Sequence, residues 1–252
     1  MGSEMKAPWR EWLTLRFGRK DSRILSVLHL ADSDSRWGSR IRLLGLALRD
    51  RDAEVREGAA SALEKLTRYI HRGYVTLSGN LYTIREIYGF VETEMHKGGA
   101  IKNLRTCLAD ENWHVRRNAA EALGQMRARD AVERLIDAVQ SDPDWHVREQ
   151  AAGALGRIGD RRAVGVLIEV TMSTIHHSEH ESTGYWHSDR VMRLKCVRAL
   201  GDLGDPRAFP ALTKALNESG EDRELRGEAR EAVNRVGGEE AYKGQSTTPP
   251  EA

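Results

Sequence analysis

Apolar residues recur along this chain at the spacing of helix faces, and the faces themselves recur in order. Val147, Ala151, Leu155 and Ile158 stand 4, 4 and 3 residues apart, and Val115, Ala119, Leu123 and Met126 show the same intervals 32 residues earlier. Such a stripe is what one side of an α-helix turns toward a core. A shorter apolar series precedes each long one: Ile41, Leu44 and Leu48; Ile101, Leu104 and Leu108; Val132, Leu135 and Val139; Val164, Leu167 and Val170; Phe209, Leu212 and Leu216. The pattern predicts antiparallel pairs, a short helix A and then a longer helix B, joined by an Asp-containing turn.

A dipeptide sets the register. Val55-Arg56, Val115-Arg116, Val147-Arg148, Met192-Arg193 and Leu225-Arg226 each open a helix B. Four residues before each arginine stands Asp52, Asn112, Asp144, Asp189 or Asp222. These are N-cap residues, whose side-chain oxygen accepts an orphan backbone N–H for roughly 1 kcal/mol each. Gly159 suits the left-handed residue that closes a helix, and Asp205-Pro206 suits a cap with Pro at the first helical position. Ala119, Ala120, Ala151 and Ala152 let helices come close, and Gly124, Gly156 and Gly201 mark places where a side chain would hold them apart.

The segment 112–130, NWHVRRNAAEALGQMRARD, returns at 144–162 as DWHVREQAAGALGRIGDRR. The pattern D-x-x-V-R-x-x-A-A-x-A-L-G-x-[IM]-G-D resembles the HEAT repeat, in the short variety named after phycobiliprotein lyases. The resemblance spans about residues 36 to 237. It implies an all-α fold, a right-handed α-solenoid of roughly five to six helix pairs, of a kind that usually binds proteins, in some families binds nucleic acid, and in a few carries an enzyme site.

The intervals between anchors are uneven. Val115 to Val147 is 32 and Met192 to Leu225 is 33, but Val55 to Val115 is 60 and Val147 to Met192 is 45. The longer gap has room for an extra helical segment around 70–98, with Leu81, Ile84, Ile87 and Val91 as its stripe, and the other carries an insertion around 173–188. Residues 1–35 read as a helical cap on the array, 36–237 as the array within one elongated domain, and 238–252 as a disordered tail.

That insertion holds His176, His177, Glu179, His180, Glu181 and His187. If the preceding helix runs on, His176 and His180 fall one turn apart and suit a shared divalent metal, with His187 or a Glu completing the set. A solvated polar loop needing no cofactor is the plainer expectation. It lacks the H-E-x-x-H order that would add a general base.

Composition narrows the function classes. The 252 residues are 40% hydrophobic and 31% charged, with 39 basic and 38 acidic side chains for a net charge of +1. That balance argues against a tracker of nucleic-acid phosphates, although Arg10, Arg16, Arg19, Lys20 and Arg23 cluster near the N-terminus, where a solvated helix is the expected role. No apolar run reaches membrane-spanning or signal-peptide length. Cys107 and Cys196 both fall on buried stripes, as expected of packing residues in a reducing cytoplasm.

Two sets of polar residues stand out within the repeats. Asp50, Asp110 and Asp142 each precede a repeat arginine, Arg56, Arg116 and Arg148, by six residues, which suits a ladder of Asp–Arg hydrogen bonds stitching neighbouring turns, with an anion-binding row of arginines as the alternative. Trp113-His114 and Trp145-His146 fill the first two positions of two successive B helices, where the other copies carry Ala53-Glu54, Arg190-Val191 and Arg223-Glu224. Two readings stay open for them. Either each indole closes the turn of the adjoining repeat, or Trp113 and Trp145 centre a surface for another protein.

Enzymes related by this repeat find little support. Deoxyhypusine hydroxylases carry His-Glu pairs directly after the Val-Arg to bind two irons, and here those slots hold Arg117-Asn118, Glu149-Gln150 and Gly227-Glu228. No motif for bilin attachment is recognisable, and alkylpurine glycosylases of this type need a basic groove. The expected function is a non-catalytic scaffold or adaptor for a protein partner, with a metal-dependent or lyase-like enzyme and a nucleic-acid binder as the alternatives.

Overall fold

The computed structural model describes residues 14–16, 18–32, 37–71, 93–173, 185–220 and 222–243. Every regular element among them is helical. Contacts divide the chain into two compact units, Met1–Ala131 and Val132–Ala252, where the sequence suggested one domain. In a repeat array each layer touches only its neighbours, so the chain has no single shared core.

The first unit contains α1 (Lys20–Asp32), α2 (Trp37–Ala47), α3 (Ala53–His71), α4 (Ala100–Cys107) and α5 (Trp113–Gln125). Helix α2 pairs with α3 and α4 pairs with α5, while the two B helices α3 and α5 pack on one another. Helix α1 lies against α3 as a preceding B helix would. Ile41, Leu44, Leu63, Leu104 and Leu123 are fully buried in the layers.

The second unit contains α6 (Val132–Ser141), α7 (Trp145–Ile158), α8 (Val164–Ser173), α9 (Tyr185–Leu203), α10 (Phe209–Asn217) and α11 (Arg223–Lys243). Three A–B pairs follow in order, and α7, α9 and α11 pack in succession. The contacts between these B helices are close because glycine makes them so. A Cβ on Gly156 would lie 2.8 Å from Ala199 Cα, and one on Gly201 would lie 2.8 Å from Ala232 Cβ. Helix α7 ends at Gly159, with φ 74° and its N–H bonded to the Leu155 carbonyl. Arg127 holds the same place after α5 with φ 49°, a left-handed conformation that a non-glycine residue adopts at a cost of about 1 kcal/mol.

One expectation needs adjustment. Helix α11 continues to Lys243 rather than ending before Gly238, because Glu239, Glu240, Ala241 and Lys243 are good helix formers. The stripe Leu81, Ile84, Ile87 and Val91 lies outside the described residues.

Candidate functional site

Caps place the first turns of the B helices. Asn112 and Asp144 are extended N-cap residues whose side chains accept the N–H of His114 at 2.8 Å and of His146 at 2.9 Å. Asp52 accepts from Glu54, and Asp222 accepts from Leu225. The side chain of Asp189 lies outside the described residues.

Behind the caps runs the arginine ladder, with its rungs arranged differently from the expected pairing. Arg56 donates to the backbone carbonyl of Asp50, six residues before it, at 3.0 Å. Its Nε and Nη2 grip the two carboxylate oxygens of Asp110, in the following repeat, at 2.6 and 3.0 Å. Asp110 also accepts the N–H of Asn112, so one carboxylate closes its own turn and holds the preceding helix. This bidentate bond raises the pKa of Arg56 above its ordinary value. Arg116 and Arg148 repeat the backbone half of the pattern, each donating at 2.8 Å to the carbonyl of its own Asp110 or Asp142.

Arg23 is a further rung. It donates to the Gly18 carbonyl and pairs with Asp50 at 2.9 Å, both side chains being almost fully buried. Composition alone had placed it in a solvated basic cluster.

On the first turn of α5 the rings of Trp113 and His114 stack, with centroids 3.6 Å apart and planes 27° apart. Glu57 of α3 approaches this stack: its carboxylate accepts from Asn112 Nδ2 at 3.0 Å and lies 4.0 Å from His114 Nδ1. Trp113 is partly exposed and the His114 side chain is 45% exposed. In the second unit Trp145 and His146 form a similar pair on α7, with centroids 3.4 Å apart and both residues partly exposed. Each unit thus carries an aromatic pair held to a capped helix start.

Several polar groups on the B helices are committed to one another. Between α3 and α5, Thr67 donates to Gln125, and Gln125 donates to Glu121 at 2.7 Å and to Glu64 at 3.5 Å. Along α7, α9 and α11, Lys195 pairs with Glu149, Arg198 with Glu228, and Arg235 with both Asp202 and Glu231. The slots where iron ligands would stand therefore include a salt-bridged Glu149 and a salt-bridged Glu228.

Cys107 and Cys196 are buried, and burial pushes each thiol up to about 12, which removes the thiolate needed for nucleophilic work near neutrality. Of the candidate metal ligands, His176, His177 and His180 lie outside the described residues, as does the side chain of His187. Among the described residues no group of three His, Cys, Asp or Glu side chains is arranged to hold a metal, and no helix is long and apolar enough to cross a membrane.

The family described as HEAT repeats matches residues 101–174 and 185–243, just over half of the chain. An engineered protein from a structural genomics consortium superimposes with a TM-score of 0.62 at 19% identity, covering 92% of this chain and 97% of its own. A designed armadillo repeat protein in complex with the peptide (KR)4 gives 0.61 at 16% identity, covering 92% and 99%. The complex of CpcE and CpcF of phycocyanin lyase from Nostoc sp. gives 0.56 at 23% identity, covering 80% of this chain and 66% of the other. These likenesses concern the fold. A search of curated sequences finds no match.

Proposed function

The chain belongs to the HEAT-repeat family, and from that premise we propose that it acts as a non-catalytic scaffold or adaptor that binds another protein along its helical repeats. The observation carrying this reading is the pair of Trp–His stacks, one in each unit, built onto capped helix starts and left partly exposed. Tryptophan covers a large area while losing little side-chain entropy, and a ring fixed by a stacked neighbour has less freedom still to lose on binding. The designed armadillo protein of similar fold holds a peptide, which is the kind of ligand such helical arrays accommodate. Two buried cysteines that are free of disulfides suit a cytoplasmic setting for this role.

The test is affinity capture on the immobilised full chain, followed by titration of the captured protein. Trp113→Ala and Trp145→Ala are expected to weaken its Kd by about tenfold or more each, with the melting temperature unchanged. Folded variants that retain the full affinity would remove the stacks from the binding surface and with them this reading.

A further inference from the structure

Leu46 breaks the repeat pattern of its own helix. Relative to the fully buried leucine two positions before it, Leu44, the other A helices carry Thr106, Asp137, Glu169 and Lys214 at the same slot. Among the described A helices only α2 places a large apolar side chain there, and it is left 49% exposed while Leu43 is buried. Layer packing does not account for it, since the stripe of Ile41, Leu44 and Leu48 already supplies the face of α2 that enters the core.

Leu46 lies in a cleft of about 350 Å³ within the first unit, with Leu15 and Leu43 as further apolar lining and Arg16, Arg49 and Asp50 as its charged groups. The charges do not cancel. Asp50 is already committed to Arg23 at 2.9 Å and to the N–H of Asp52, whereas Arg49 is exposed and makes no ion pair among the described residues. An apolar floor with a cationic edge, at the small end of the size range of ligand pockets, suits one or two apolar side chains flanked by carboxylate. An amphipathic helix laid in a groove presents that combination on one face.

We propose that this cleft is a docking site for an acidic amphipathic helix of a protein partner, which inserts a leucine against Leu46 and Leu43 and places a carboxylate on Arg49. The site is separate from the Trp113 and Trp145 stacks, so each proposal can fail without the other.

The experiment titrates the full chain with two fluorescent helical peptides that share leucines at i, i+3 and i+7, one with glutamates and one with lysines on either side. The acidic peptide is expected to bind, and the lysine peptide to bind about tenfold more weakly or not at all. Leu46→Asp and Arg49→Glu should each weaken the acidic peptide about tenfold or more, and Trp113→Ala should leave it unchanged. Arg49→Glu changes an exposed side chain, so it keeps the test decisive if Leu46→Asp disturbs folding.

Equal binding of the two peptides, or no binding of either, overturns the proposal. So does a dimer in sedimentation that Leu46→Asp dissociates, which would assign the cleft to a second copy of the chain. A melting temperature lowered by Leu46→Asp together with no peptide binding also overturns it, since the chain's own residues would then fill the cleft.

Discussion

The two units fasten their helix pairs in different ways. Up to Ala131 the fastening is buried and directional: Arg23 grips Asp50, Arg56 grips Asp110, and Gln125 joins Thr67, Glu64 and Glu121. Beyond Asp142 the ladder loses its acids. The slots equivalent to Asp50, Asp110 and Asp142 hold His187 and Gly220 in the last two repeats. Their arginines turn elsewhere, Arg193 to Glu218 and Arg226 to the Ser219 hydroxyl, while Arg190 takes Asp222 and Glu224. Arg193 shows the consequence, because burial draws its pKa below the ordinary value and Glu218 compensates only in part. The B helices of this unit meet through glycine-to-alanine contact, and the ion pairs that join its repeats, Arg190 with Asp222 among them, are more exposed than the rungs of the first unit. One repeat sequence can therefore be stacked with its directional bonds buried, as at Arg56 and Asp110, or nearer the surface, as at Arg190 and Asp222.

Removing a rung from the first unit gives the largest effect. Arg56→Ala leaves Asp110, 9% exposed, without its bidentate partner. Breaking a buried pair from one side costs about 3 to 5 kcal/mol, and the lower end applies because Arg56 keeps some access to water. Thermal melting should fall by roughly 6 to 12 °C. A loss no greater than that of a surface pair would show that the ladder does not set the stability of this unit.

Next comes the close approach in the second unit. Gly201→Val forces a branched side chain into a contact where a bare Cβ already lies 2.8 Å from Ala232 Cβ. The expected cost is about 1 to 3 kcal/mol, and Ala232→Gly in the same chain should recover part of it. Independent, additive losses in the double variant would mean that the two residues do not share the strain.

What the sequence discloses follows the range of the interaction. Caps at Asn112 and Asp144 are readable because donor and acceptor are two residues apart. The Asp–Arg spacing of six is also visible, but it identifies only the backbone carbonyl that each arginine touches. The carboxylate partner of Arg56 lies 54 residues on, beyond the irregular gap, and no local spacing points to it. Arg23 reads as one of a basic cluster and not as a rung because Ser22 stands where the other copies have an apolar residue before the arginine, and the alanines that mark the repeat are absent after it. Pairs such as Arg198 and Glu228, 30 residues apart, are equally hidden, since each B helix carries several charges about one period from the next. Leu46 is the opposite case: its slot is polar in the other copies, so alignment of the repeats alone marks it. The Trp–His pairs were visible as an exception to the repeat, but their ring stacking was not, because adjacent residues on a helix do not ordinarily face each other.

Exposed ion pairs of the second unit should matter much less than the buried rungs. Asp202 and Arg235 are each more than 40% exposed, so Arg235→Ala should cost about 0.2 to 1 kcal/mol, and raising the salt concentration should shrink even that. An effect as large as that of Arg56→Ala would erase the distinction between the two units.

The finest test concerns acid. Asp205 accepts from the Arg207 side chain and backbone N–H, with Arg161 3.7 Å away, and these contacts hold its pKa down to about 2. A carboxylate whose folded pKa is depressed stabilises the fold above its unfolded value, and that contribution fades as pH falls through the folded value. With an unfolded pKa of about 3.9, the window of loss runs from roughly pH 4 down to pH 2. Asp205→Asn isolates the charge, because asparagine also serves as an N-cap. Melting curves of the two proteins should therefore be separated by a constant interval above about pH 4 and converge toward pH 2. An interval independent of pH across that range would mean that Asp205 acts through its cap geometry and not its charge, which would bring this turn closer to the hydrogen-bonded fastening of the first unit.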